Sequence, residues 1–164
     1  MSELPVISER DEQPYVAIRA QVSMHELSQL GQRLGTVFGW LAARGLSPAG
    51  APFFKYNVIS MPQRLEVEAG VPVPAVVDGD DQVLSGVLPA GRYATVIHVG
   101  APDGLLGATA GLLDWAAEHG LVWDMAHAGD GEQWGCRLEI YLTDPSGQPD
   151  LTKWETQLAF RLAD

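Results

Sequence analysis

The chain echoes itself. Arg64-Leu65-Glu66-Val67 returns as Arg137-Leu138-Glu139-Ile140. Upstream of each copy stands a tryptophan followed by a spaced Gly-Leu pair, Trp40 with Gly45-Leu46 and Trp115 with Gly120-Leu121. A weaker echo sets Tyr15-Val16-Ala17-Ile18 against Tyr93-Ala94-Thr95-Val96. The order is kept at offsets of 73, 75 and 78 residues, so loop lengths are what differ. Self-similarity at one long period marks a repeated supersecondary unit. A chain of 164 residues is one domain with a full core. The reading is therefore a single domain, 1–164, made of repeats of about 4–75 and 88–162, with the seam between them as the natural home of a ligand site.

Hydrophobic periodicity gives each repeat its elements. Tyr15 to Val22 alternates as a strand does, and Leu4 to Ile7 is extended before it. Ser23-Met24-His25-Glu26 is a capping box, and Leu27, Leu30, Leu34, Val37 and Leu41 follow it as a helix stripe that Gly45 ends. Phe53 to Ile59 and Arg64 to Ala69 read as strands. Residues 70–91 read as the connection between the repeats, because Val71-Pro72-Val73-Pro74 does not suit a central ladder. The second repeat predicts a strand over Tyr93–Val99, a helix capped near Asp103 with its stripe at Leu106, Ala110, Leu113 and Ala117, then strands over Gly135–Leu142, stopped by Asp144-Pro145, and Trp154–Leu162. The fold class is α+β: two pseudo-symmetric β-α-β-β units forming one curved antiparallel sheet, with two helices on one face and a cleft between the halves. If Leu65 and Val67, and likewise Leu138 and Ile140, face the helices, Glu66 and Glu139 face away from them, with Tyr141 beside Glu139.

Charge excludes some functions. Ten basic against 21 acidic residues give a net −11 at pH 7, a field that repels phosphate backbones. No nucleic-acid partner is expected; a cationic or neutral ligand, or a basic protein, suits the field. No apolar run reaches the ~20 residues of a membrane span, so no membrane association is expected. Residues 1–13 lack an apolar signal core, and the single Cys136 fits a reducing compartment, so the reading is cytoplasmic. His25, His98, His119 and His127 have no ligand spacing, and no phosphate loop or Gly-x-Ser-x-Gly occurs. No metal, no cofactor and no catalytic residue is assigned. Phe54, Tyr56, Trp123, Trp134 and Tyr141 are aromatic enough to line a site, and Tyr56 and Tyr141 are preferred to any tryptophan.

Three segments carry a resemblance to a known family. They are Leu88-Pro89-Ala90-Gly91-Arg92-Tyr93-Ala94, Gly100-Ala101-Pro102-Asp103-Gly104-Leu105 and Trp115-Ala116-Ala117-Glu118-His119-Gly120-Leu121. With Glu139-Ile140-Tyr141-Leu142-Thr143-Asp144-Pro145, and Val67 to Val73 in the first half, the chain resembles the GyrI-like small-molecule-binding family over about residues 4–162. That family includes effector-binding domains of AraC-type and MerR-type regulators. The resemblance implies two β-α-β-β units enclosing a cleft, with a pocket glutamate at Glu139 that counters cationic, often aromatic, ligands and a pocket tyrosine at Tyr56. Residues 1–14 are too few for a helix-turn-helix, so regulation of transcription by this sequence alone is not expected.

The expected ligand-binding residues are Glu139, Tyr141, Tyr56, Phe54, Glu66 and Trp123, with Glu66 as the repeat's counterpart of Glu139. The function they suggest is sequestering or sensing an amphipathic, cationic aromatic molecule. Two alternatives stay open: a hydrolase of strained electrophilic genotoxins in the same cleft, or an acidic inhibitor of a basic partner such as DNA gyrase.

Overall fold

The computed structural model describes residues 4–23, 25–60, 64–129, 131–144 and 146–164. Met24 of the expected capping box and Pro145 of the expected strand stop lie outside them. The strands are β1 (Val6–Arg10), β2 (Gln13–Val22), β3 (Phe53–Ser60), β4 (Arg64–Pro72), β5 (Leu84–Leu88), β6 (Gly91–Val99), β7 (Met125–Ala128), β8 (Gly131–Trp134), β9 (Arg137–Tyr141) and β10 (Glu155–Arg161), and the helices are α1 (Leu27–Ala43) and α2 (Leu105–Glu118). Their order across one antiparallel sheet is β1-β6-β10-β9-β3-β4-β2-β5, with the β7–β8 hairpin attached to β3 through β8.

That order reads alike from both ends. One half contributes β2-β4-β3 and the other β6-β10-β9, and the halves join where β3 pairs with β9. Tyr15 lies opposite the last residue of β4, Pro72, as Tyr93 lies opposite the last residue of β10, Arg161. The helices end alike as well. Gly45 and Gly120 take φ of +67° and +66°, and Leu46 and Leu121 donate back to Leu41 and Ala116 at 2.9 and 3.0 Å. These are Schellman closures, which need the left-handed conformation that glycine adopts without a Cβ clash. At the start of α1 the capping box is reciprocal: Glu26 N–H donates to Ser23 Oγ at 3.3 Å and Ser23 N–H to Glu26 Oε1 at 3.0 Å. The flanking strands are exchanged. β1 precedes β2 in sequence but pairs with β6, and β5 precedes β6 but pairs with β2.

Two apolar layers result. On the helix side, α1 lays Leu30, Val37, Trp40 and Leu41 on Val16, Ile18, Val67 and Val71, while α2 lays Leu105 and Leu112 on Ala94, Val96, Leu158 and Phe160. On the other side the sheet curls until Tyr15, Phe53 and Leu88 share a cluster with Tyr93, Leu138, Ile140 and Ala159.

Four sequence expectations change. The α2 stripe is Leu105, Leu112 and Ala116, one residue before the expected one, because a 3-10 turn over Pro102–Gly104 precedes the helix. Asp103 lies within that turn and does not cap α2. Val71 and Pro72 continue β4, where a proline is tolerated because it ends the strand, and residues 70–91 contain the further strand β5. Leu138 and Ile140 face away from the helices while Leu65 and Val67 face them, so the two Arg-Leu-Glu copies sit on non-equivalent strands and opposite faces. The symmetry mate of β9 is β3.

Close approach at β4 gives a test of the curl. A methyl on Gly70 would stand 2.7 Å from Cε2 and Cζ of Phe53, a ring 2% exposed and edge-on to Tyr15. Gly70→Ala is expected to destabilise the fold by about 1–3 kcal/mol through overpacking. The check is urea unfolding of Gly70→Ala with and without Phe53→Leu, which should recover part of the loss.

Candidate functional site

Pairing of β3 with β9 puts Phe54 directly opposite Glu139, and paired residues share a sheet face. Two residues further along each strand stand Tyr56 and Tyr141. They are symmetry mates at an offset of 85 residues, the offset that separates Phe54 from Glu139. All four side chains rise on the helix side, between the first turns of α1 and α2. There they line an open cleft of about 440 Å³, with Leu27, Leu65, Pro102, Asp103, Leu105, Leu106, Thr109, Arg137 and Phe160 around them. The cleft is thus on the helix face, not on the opposite face where strand parity had placed Glu139.

A β-bulge aims Tyr56. The β3–β4 register shifts between Tyr56 and Val58, leaving Asn57 as the extra residue. Tyr56 stays on the cleft side, while Asn57 donates to Glu68 on the other face at 2.5 Å. Glu68 is 1% exposed and also accepts from the Tyr15 hydroxyl at 2.5 Å, with Arg19 at 3.5 Å and Lys55 at 3.8 Å. That buried acid is fully engaged, and burial together with Glu68 pushes the Tyr15 hydroxyl far up in pKa.

Glu139 is held differently. Tyr141 donates to Oε1 at 2.5 Å and Tyr56 to Oε2 at 3.4 Å, so each oxygen faces one tyrosine. Phe54 packs edge-on against the Tyr141 ring, centroids 5.3 Å apart, which fixes that ring. Burial raises the Glu139 carboxyl above its ordinary value; the two hydroxyls and the Arg137 guanidinium pull the other way without cancelling it. Burial, and the carboxylate beside them, push both tyrosines well above theirs, so they stay protonated donors. The arrangement can stabilise a positive charge against Glu139 between aromatic walls.

Of the expected site residues, Glu139, Tyr141, Tyr56 and Phe54 meet in the cleft. Glu66 does not. It lies on the far face of β4 in a groove with Lys55, Asn57 and Glu68, because β4 is not the counterpart of β9. Trp123 does not either; it bridges to Leu162 and packs its ring on Trp134 and Phe160 in the α2 core. Arg137 was missed, although alternation along β9 already set it on the side of Glu139 and Tyr141. Asp103 and Leu106 were read as helix cap and helix core, yet both stand at the cleft. Among the described residues no group of three or more His, Cys, Asp and Glu side chains could hold a metal ion, and no helix is long and apolar enough to cross a membrane.

A family model, the GyrI-like small molecule binding domain, matches residues 5–163. The chain belongs to the GyrI-like family. Solved structures share this GyrI-like fold. The C-terminal domain of EcmrR superposes with a TM-score of 0.77 at 20% identity, over 98% of each chain. EcmrR in a DNA complex gives 0.80 at 19% identity, and there this chain covers 98% of itself but spans 57% of that protein. SAV2435 bound to tetraphenylphosphonium gives 0.65 at 12% identity over 98% of this chain and 94% of that one. A hydrolase from Listeria innocua gives 0.65 at 14% identity over 97% and 91%. No curated protein matches the sequence.

The raised Glu139 carboxyl has a stability consequence. Its folded pKa lies above its unfolded one, so its contribution is complete below the unfolded value and is lost as pH rises through the folded value. Near neutral pH the ionised form opposes folding. Glu139→Gln is expected to unfold at higher urea than wild type at about pH 7, with the gap closing towards about pH 4. Urea titrations of both proteins across that range check it; a gap of constant size would show that ionisation is not its cause.

Proposed function

We propose that the cleft binds an amphipathic aromatic molecule bearing a positive charge, and that the protein sequesters or senses it. The observation that carries this is the partly buried carboxylate of Glu139, set between Tyr56 and Tyr141 in a cleft lined also by Phe54, Phe160 and leucines, with Arg137 and Asp103 on its wall. A desolvated carboxylate with tyrosine faces beside it favours a delocalised cation, which gains charge neutralisation and ring contact together. Tetraphenylphosphonium on SAV2435, a protein of the same fold, is of that chemistry. An acidic inhibitor would need no such cavity.

The test is paired calorimetry with one cationic aromatic compound and its neutral isostere. A charge-assisted contact of about 1.5–3 kcal/mol means that Glu139→Gln weakens the cation about ten- to a hundredfold. The neutral compound should hardly change, and equal losses for both would end the charge-recognition reading. Cation binding should also release protons and weaken as pH falls through the raised carboxyl pKa.

A second reading has its own observation: two tyrosine hydroxyls converge on one carboxylate of raised pKa. In that reading, water adds to the carbon of a strained ring. Glu139 takes the water's proton, and a tyrosine protonates the atom released by ring opening. Mass-spectrometric turnover of an aryl epoxide, abolished in Glu139→Gln, is the expected result; no turnover in wild type would discard this reading.

A further inference from the structure

Arg137 is the cleft's second pole. It stands two residues before Glu139 on the same face of β9, so the two Cα atoms are separated by about 6.7 Å of strand. Its guanidinium lies 4.5 Å from the ring centroid of Phe160, its neighbour across β10, and 4.7 Å from that of Trp134. Burial pulls its pKa down from the usual arginine value, with Glu132, Tyr56 and Glu139 acting the other way; a guanidinium starting that high remains charged. Among the described residues it makes no hydrogen bond and no ion pair within 4.0 Å, while Glu139 spends its acceptors on Tyr141 and Tyr56. Among the described residues the guanidinium of Arg137, a residue of the cleft lining with five N–H donors, has no hydrogen-bond acceptor.

We infer that the ligand is dipolar: besides the positive group that Glu139 takes, it carries a carboxylate or comparable acceptor about one strand step-pair away, which Arg137 binds. This rests on the binding reading above and narrows it. A simple lipophilic cation placed over Glu139 is repelled by Arg137, which already lies against the Phe160 ring of the cleft wall. A zwitterion meets complementary charge at both ends, and the acceptor end fills the open donors of a planar fork. Asp103, at the cleft near the start of α2, adds a third charge and sets the lining at two acids to one base. The cationic end of the ligand then pairs with Glu139 and the acceptor end with Arg137.

The experiment uses rhodamine B, an aromatic zwitterion, and its ethyl ester, a cation of nearly the same shape. Both are titrated by fluorescence anisotropy into wild type, Arg137→Met and Glu139→Gln at about pH 8, where carboxyls are ionised. Wild type is expected to bind rhodamine B about tenfold or more tightly than the ester. Arg137→Met should lose about that factor for rhodamine B while binding the ester as well as wild type or better. Damage to the cleft cannot produce opposite effects on the two dyes. Arg137→Lys, which keeps the charge without the fork, should retain part of the preference. Equal affinity of wild type for the two dyes, equal losses in Arg137→Met, or a full preference in Arg137→Lys overturns the role of Arg137 and leaves the binding reading in place. Failure of both dyes and of tetraphenylphosphonium to bind removes that reading, and this one with it.

Discussion

Everything at the site depends on the pairing of β3 with β9. It joins β2-β4-β3 to β6-β10-β9 and runs through the symmetry centre, so Phe54 and Glu139, which face each other there, are each other's counterparts. A strict two-fold would put like residues at Phe54 and Glu139. The chain instead puts a ring on one side and a carboxylate on the other. The tyrosines beyond them stay matched, and both turn their hydroxyls onto the single acid. Broken symmetry at one residue therefore gives the cleft a direction. The hydrophobic floor contributed by one half desolvates the charge contributed by the other.

The two faces of the sheet treat a buried carboxylate in opposite ways. Glu68 is closed in by Tyr15, Asn57, Arg19 and Lys55, and its role ends within the fold. Among the described residues Glu139 has two phenols and no cation within ion-pairing distance, and it opens on a cavity. The first arrangement stabilises the curl of the sheet. The second sets an acid in an environment that disfavours its charge, and acids perturbed in this way cluster at functional sites. The bulge at Asn57 separates these two environments, since it lets one strand serve both faces within two residues.

Much of this was legible in the sequence, for identifiable reasons. Trp40 with Gly45 and Trp115 with Gly120 end equivalent helices, and Tyr15 and Tyr93 open equivalent strands; bulky anchors and left-handed glycines are local and survive as echoes. The Arg-Leu-Glu repeat misled. Period-2 alternation looks alike in every strand of a unit, and it does not tell β4 from β9. The β7–β8 hairpin hid the correct correspondence by lengthening the path from α2 to β9 relative to that from α1 to β3. With the offset wrong, Glu66 was drawn towards a cleft it does not reach. Glu139 and Tyr56 were singled out through the family resemblance and Tyr141 as the strand neighbour of Glu139, so the wrong offset did not affect them, and all three line the cleft. Arg137 was not assigned, although period-2 alternation sets it on the side of Glu139 and Tyr141 along β9.

The exchange of β1 and β5 ties the site to the order in which the chain is made. Val6 must wait for Thr95 before it can join the sheet, and β3 must wait for β9. A ribosome that has released only the first 75 or so residues holds a helix on three strands, with the central edge of β3 bare. Contacts this distant in sequence form late and slowly. The cleft, built on the last of those pairings, comes into being only when β9 and β10 have left the ribosome. Nascent chains short of that point carry Tyr56 and Phe54 on an unguarded strand edge, and they are the species most exposed to pairing with the wrong neighbour.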